Sequence, residues 1–152
     1  MAFSIFTEDT FEQAVLAIFE KLGYEHIYAP DYDRDYTSPL LIDELHRSLT
    51  KINRSLPQQA ITEAENRLCS FDMGSLLQKN MTFMDYLQNG ITVKYHVQGE
   101  ERSSIVYLLD YANPSNNTFQ AVNQFTFIEN GNNRRPDIVL FINGLPLVLI
   151  EL

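Results

Sequence analysis

Residues 132–152 read NNRRPDIVLFINGLPLVLIEL, and the fold is argued outward from them. Two apolar runs, 138–142 and 145–150, flank Asn143-Gly144. That dipeptide accepts the two left-handed positions of a tight hairpin turn more readily than most. Runs so uniformly apolar predict strands covered on both faces. Yet Asp137 opens the first strand and Glu151 stands near the end of the second. A carboxylate at the edge of such a strand costs free energy unless it is paired, hydrogen-bonded or holding a cation. Two of them at the open end of one hairpin form a hard-oxygen donor pair suited to Mg²⁺.

Register decides whether the two acids meet. A two-residue turn sets Ile142 against Leu145, so Asp137 faces Ile150 and Glu151 points to the other side. A three-residue turn, or one bulge, shifts the count by one and puts both acids on one face. A shared metal site therefore requires an odd register or a bulge, and Pro146, which cannot donate to a ladder, favours an irregularity. The alternative is that Asp137 ends a turn after Pro136 and Glu151 is a solvated strand end.

Upstream, the order of signals is helices first and strands later, which predicts an α+β fold with a mixed central sheet flanked by helices. A helix is expected from Glu8 to Leu22, with Thr7 as N-cap, Glu8 and Asp9 at the positive dipole end, and Gly23 at the stop. Its apolar stripe is Phe11, Val15, Ile18, Phe19 and Leu22. Glu12 falls on the shoulder of that stripe and Glu8 near its centre. A short strand at Glu25–Tyr28 and an exposed turn over 29–37 follow. Ser38-Pro39 reads as the cap and first residue of a helix to Asn53, with Leu41, Leu45, Leu49 and Ile52 inward. Pro57 opens another to Ser70 around Ile61, Ala64 and Leu68. A third runs from Ser75 to Asn89, with Leu77, Met81, Met84 and Leu87 inward, and stops at Gly90. The period then changes to two: ITVKYHVQ is a half-buried strand, and SSIVYLLDY and TFQAVNQFTFIEN are strands divided by ANPSNN.

Composition sets the outer bounds. The chain has 152 residues, 45% hydrophobic and 12% aromatic, which excludes global disorder. It lacks the run of about 20 apolar residues that a membrane helix needs. Its first residues turn acidic without a basic leader region. A single cysteine, Cys69, excludes an internal disulfide and a cysteine zinc cage. A cytoplasmic chain without a membrane partner is expected. With 20 Asp+Glu against 11 Lys+Arg, the net charge of −9 argues against a broad basic nucleic-acid face, though not against a carboxylate cluster neutralised by metal. No GxxxxGK[ST] run occurs, so no phosphate loop for ATP is present. The final run LPLVLIEL stops without a polar tail, and residues 1–152 are expected to be the front piece of a longer multidomain chain.

Other residues are weighed against plainer roles. Arg134 and Arg135 could touch a phosphate near Asp137, or simply be solvated in an Asn-rich turn. His26, His46 and His96 match no zinc spacing. Cys69 reads as a small core residue. Tyr24, Tyr28, Tyr32 and Tyr36 form a conceivable base-stacking set, with ordinary packing as the plainer account.

Three stretches, TEDTFEQAVLAIFEKLGYEHI (7–27), LLQKNMTFMDYLQNGITVKY (76–95) and NQFTF (123–127) followed by NNRRPDIVLFINGLPLVLIEL, together resemble the N-terminal region of the R (restriction) subunit of type I restriction enzymes. The resemblance spans nearly the whole chain. It implies a PD-(D/E)xK nuclease whose pattern falls on Pro136-Asp137 and Glu151-Leu152, with the motif lysine at the next position. Because that lysine lies past Leu152, the fragment alone is expected to be inactive. The resemblance further implies Mg²⁺ held by Asp137, Glu151 and the carbonyl of Leu152. A helix-one acid maps best to Glu12, with Glu8 as the alternative. The implied activity is cleavage of double-stranded DNA within an ATP-dependent complex with methyltransferase (M) and specificity (S) subunits, ATP being bound only by motor domains beyond residue 152. Two other roles stay open: a non-catalytic docking module of that complex, and the nuclease domain of a repair helicase–nuclease.

Overall fold

The structure is a computed structural model that describes residues 7–71 and 74–152; the first six residues, read above for a leader, lie outside them. The described chain is α+β and divides into two compact units. One combines the residues up to Leu41 with Thr118–Leu152, and the other is Ile42–Asn117.

The first unit is built on a four-stranded mixed sheet. Helix α1 (Glu8–Lys21) leads into β1 (Glu25–Tyr28), and the chain returns as β4 (Phe119–Asn123), β7 (Ile138–Ile142) and β8 (Leu145–Ile150). The spatial order is β1-β4-β7-β8, with β1 parallel to β4 and the other pairs antiparallel. Between β4 and β7, a small hairpin of β5 (Phe127–Glu129) and β6 (Asn132–Arg134) stands apart from that sheet. Period-two alternation sorts the sheet's two faces. Ala121, Ile138 and Leu140 pack with Leu16 of α1, flanked by Phe19, Tyr24 and Ile150. Val122, Val139 and Phe141 pack on the other side with Ala29, Leu41 and Phe125. The central strand β7 is thus apolar on both faces, as its composition demands. Strand β8 departs from that expectation: it is an edge in this sheet, and Val148 and Leu149 are exposed.

Helix α1 begins as predicted, with Thr7 Oγ1 accepting from the Thr10 N–H at 3.2 Å. Its inward face differs. The buried residues are Glu12 and Leu16, while Phe11, Ile18 and Leu22 face outward. The stripe counted from apolar residues alone is therefore rotated: the sheet contacts the side that carries Glu12, and Glu8 is exposed.

The second unit holds α2 (Ile42–Ile52), α3 (Gln58–Cys69), α4 (Leu76–Asn89) and a hairpin of β2 (Ile91–Val97) with β3 (Glu100–Val106). Helices α2 and α3 pack on each other, and α3 packs on β2, through Leu45, Leu49, Ala60, Ile61, Ala64 and Leu68. Three expectations are corrected here. Helix α2 starts at Ile42 and not at Pro39, because the Leu41 N–H is spent on the Gly144 carbonyl at 3.0 Å. In α4, capped by a Ser75–Gln78 box, Leu77, Met81 and Met84 are exposed and no residue is buried. Strand β3 starts at Glu100, because Gln98 and Gly99, both at positive φ, form a tight turn. Cys69 is exposed, so its assignment to the core is also corrected.

Candidate active site

The closing hairpin settles its own register. Asn143 (φ 53°) and Gly144 (φ 80°) form the two-residue turn, with Ile142 opposite Leu145. Asn143 is fully buried: its N–H donates to the Thr118 carbonyl at 2.9 Å and its Oδ1 accepts from the Thr118 N–H at 2.8 Å. Two pairs further on, the ladder shifts. Phe141 faces Pro146 but Leu140 faces Val148, so Leu147 is an extra residue in β8. This is the bulge a shared acid pair requires, and it sits beside the proline that cannot donate. Beyond it, Val139 faces Leu149 and Ile138 faces Ile150. One more step in the same register sets Asp137 opposite Glu151, where facing side chains share a side of the sheet.

Asp137 is half-buried, after the buried Pro136. Its Oδ2 accepts the main-chain N–H of Leu152 at 2.6 Å, which ties the start of β7 to the chain leaving β8. Glu151 and Leu152 are exposed.

Glu12 reaches the same end of the sheet by another route. It is only 6% exposed, so its charge must be met by donors. The Asn123 amide donates to Oε1 at 2.7 Å, and the Gln124 amide donates to Oε2 at 3.1 Å and to Oε1 at 3.4 Å. Hydrogen bonds to a charged group are worth about 1.5–3 kcal/mol each. Asn123 also fixes His26. Since its Nδ2 faces the carboxylate, its Oδ1 accepts, and the His26 Nε2 at 2.8 Å must carry the hydrogen. Glu12 is therefore a buried, fully engaged group and not an edge residue reaching solvent.

Glu12 and Asp137 are joined through Gln124. The strand expected to run from Thr118 to Asn130 breaks here, where Gln124 adopts φ 57°. Left-handed backbone is uncommon for a non-glycine residue and marks a site where the surroundings hold it. In this conformation the Gln124 N–H donates to the Asp137 carbonyl at 3.3 Å while its side chain holds Glu12. Among the described residues, no three His, Cys, Asp or Glu side chains gather as an ion cage. Asp137 and Glu151 face each other by register, and Glu12 is linked to Asp137 through Gln124.

Beyond the break, Phe125 packs on Phe141, and the guanidinium carbon of Arg34 lies 3.9 Å from the Phe125 ring and 4.5 Å from the Tyr36 ring. Arg34 also donates from Nη2 to the Thr126 carbonyl, and burial lowers its pKa from the usual arginine range. Arg134 and Arg135 are exposed, two and three residues before Asp137. Tyr24 packs edge-on against Phe19 and Phe119. His46 bonds Glu65 at 2.7 Å.

Residue types alone did not single out Asn123, Gln124 or Arg34. The available signal was the Asn-Gln pair ending an apolar strand, where two amides in succession have no packing reason to be.

The sequence model of the family described as "Type I restriction enzyme R protein N terminus" matches residues 5–152. The chain belongs to that family. Among its relatives, the "Type I restriction enzyme HindI endonuclease subunit" of Haemophilus influenzae is 34% identical over 95% of this chain and 15% of its own length. The "Putative type I restriction enzyme MjaIXP endonuclease subunit" of Methanocaldococcus jannaschii is 28% identical over 92% of this chain and 14% of its own. A second Methanocaldococcus jannaschii protein, the "Putative type I restriction enzyme MjaVIIP endonuclease subunit", is 47% identical over 45% of the chain. The chain thus spans about 15% of the length of the first of these relatives. Among the described residues, no helix is long and apolar enough to cross a membrane.

Proposed function

We propose that this chain is the nuclease part of a type I restriction enzyme R subunit, of PD-(D/E)xK type, which hydrolyses phosphodiester bonds of double-stranded DNA with Mg²⁺. The observation that carries this is the bulge at Leu147, without which Asp137 and Glu151 would diverge. Family membership and the endonuclease names of the relatives support the same reading.

The donor chemistry fits the cation. Asp137 and Glu151 offer hard, anionic oxygens on one side of the sheet, and the Leu152 carbonyl is a third oxygen of the type Mg²⁺ accepts. When bound, Mg²⁺ supplies polarisation of the phosphodiester and a lowered pKa for the attacking water. The protein's own residues do the rest. Asp137 is held by the Leu152 N–H through Oδ2, and its other carboxylate oxygen would be a ligand for the ion. Glu151, exposed at the strand end, approaches from the opposite strand. Glu12 is held between two amides, in position to orient water at the inner side of the site. Arg134 and Arg135 lie on the segment entering Asp137 and contact the DNA phosphates. A cation between the acids also offsets the repulsion between a −9 chain and DNA.

In the complete enzyme, the partners are M and S subunits, and ATP is bound by the motor domains. The test is Asp137→Ala in the full-length R subunit, assembled with its partners. DNA cleavage is lost while ATP-driven translocation continues. Cleavage that survives with translocation intact overturns the nuclease assignment and favours a docking module.

A further inference from the structure

We propose that Gln124 is a positioning residue that couples Glu12 to Asp137, setting both carboxylates for one cation site; the inference rests on the nuclease reading above. Three independent features meet in this one residue. Its backbone is left-handed, at φ 57°, in a chain where most such positions are tight turns containing glycine. Its N–H holds the Asp137 carbonyl at 3.3 Å. Its side-chain amide holds both oxygens of a buried carboxylate, at 3.1 and 3.4 Å.

Each feature has a separate cause, and together they define a lever. Had β4 continued in extended form, period-two alternation would turn residue 124 to the face opposite Asn123, away from Glu12. The left-handed turn brings consecutive side chains, Asn123 and Gln124, onto the same carboxylate. The Gln124 N–H meanwhile makes the next bond of the β4–β7 ladder, to the Asp137 carbonyl, so the turned side chain stays anchored to the strand that opens with Asp137. Among the described side chains, Glu12 hydrogen-bonds these two amides, and Gln124 is the one whose main chain also bonds Asp137.

The test uses the full-length R subunit in its complex, with four variants: Gln124→Gly, Glu12→Ala, the double variant, and Asp137→Ala as the metal-site control. Glycine suits the left-handed backbone and removes the amide. Two quantities are read: the DNA cleavage rate, and Mn²⁺ affinity by electron paramagnetic resonance without nucleotide, with Asp137→Ala giving the background. Gln124→Gly lowers cleavage by about tenfold or more, as misplacement of a catalytic group by a fraction of an ångström does. It weakens Mn²⁺ binding and adds nothing further in the Glu12→Ala background. Wild-type cleavage and Mn²⁺ affinity in Gln124→Gly, or an additive loss in the double variant, overturns the coupling while leaving the nuclease intact. Cleavage retained in Asp137→Ala overturns the underlying reading instead. Should Gln124→Gly fail to fold, judged by lost ATP hydrolysis, Gln124→Asn replaces it. Asparagine tolerates the backbone but is one methylene short of Glu12, so it too cleaves slowly with ATP hydrolysis unchanged. Native cleavage in Gln124→Asn overturns the coupling.

Discussion

The main-chain N–H of Leu152 donates to Oδ2 of Asp137 at 2.6 Å, closing the open end of the β7–β8 hairpin. Glu151 stands fourteen positions after Asp137, and a single bulge residue, Leu147, decides whether their side chains share a face. An acid pair built this way depends on counting and not on packing alone.

Deleting Leu149, beyond the bulge, tests that dependence directly. The turn, the bulge and the pairs up to Val148 stay, but Ile150 then falls opposite Val139 and Glu151 opposite Ile138, which turns Glu151 to the other face from Asp137. Cleavage by the full-length enzyme falls to the level of Asp137→Ala. Far-UV circular dichroism stays native, since the turn and most ladder pairs survive.

The rotated face of α1 makes a second prediction. Leu16→Ala removes a buried side chain from the sheet core and lowers stability by about 2–5 kcal/mol. Ile18→Ala, on an exposed position of the same helix, changes it by less than about 0.5 kcal/mol. Chemical denaturation of the two variants side by side checks the assignment. Equal effects would restore the stripe counted from sequence.

Asn143→Ala tests the turn. It leaves the Thr118 N–H without its acceptor and puts a β-carbon residue with no compensating side chain into left-handed backbone. A loss of about 2–3 kcal/mol follows, from an unsatisfied buried donor and backbone strain together. The same denaturation measurement reads it. Asn143→Asp retains an acceptor but buries a charge, and it is no better tolerated.

A pH dependence resides in the second unit. Asp110 has its pKa lowered below 3.8, first by the Asn116 side-chain amide and next by the Asn113 N–H. A depressed folded-state pKa means that the stabilisation is present above the unfolded value and is lost as pH falls through the folded one. Asp110→Asn therefore lowers stability near neutrality and flattens the acid limb below about pH 4, so that the two curves converge at low pH. Thermal melting across pH 2–6 would show it; identical acid limbs would count against the assignment.

Much of the first unit was legible in the residues. Thr7 as a cap, β1 at Glu25–Tyr28 and the Asn143-Gly144 turn follow from local chemistry, and local chemistry is what a single sequence carries. The errors fall where tertiary partners decide. The sheet selected the Glu12 side of α1 over the more apolar one, because Asn123 and Gln124 supply donors that no count of apolar residues on α1 can include. In α4, helical spacing of Leu77, Met81 and Met84 was right for a helix and wrong for burial. For the site, the need for a bulge could be stated from the spacing of the acids, but its place at Leu147 could not. For Gln124 the Asn-Gln pair was the one signal, since a left-handed glutamine carries no signature in composition or period.

The burial of Asn143 also bears on how the protein ages. An asparagine before glycine is prone to deamidation, which needs the Gly144 nitrogen to swing onto the side-chain carbonyl carbon. Here that carbonyl is engaged by Thr118, and the residue is sealed from water. Folding therefore guards the hinge of the hairpin against its own chemistry. Deamidation accrues in molecules that have already opened, which then carry an aspartate they must bury to close again.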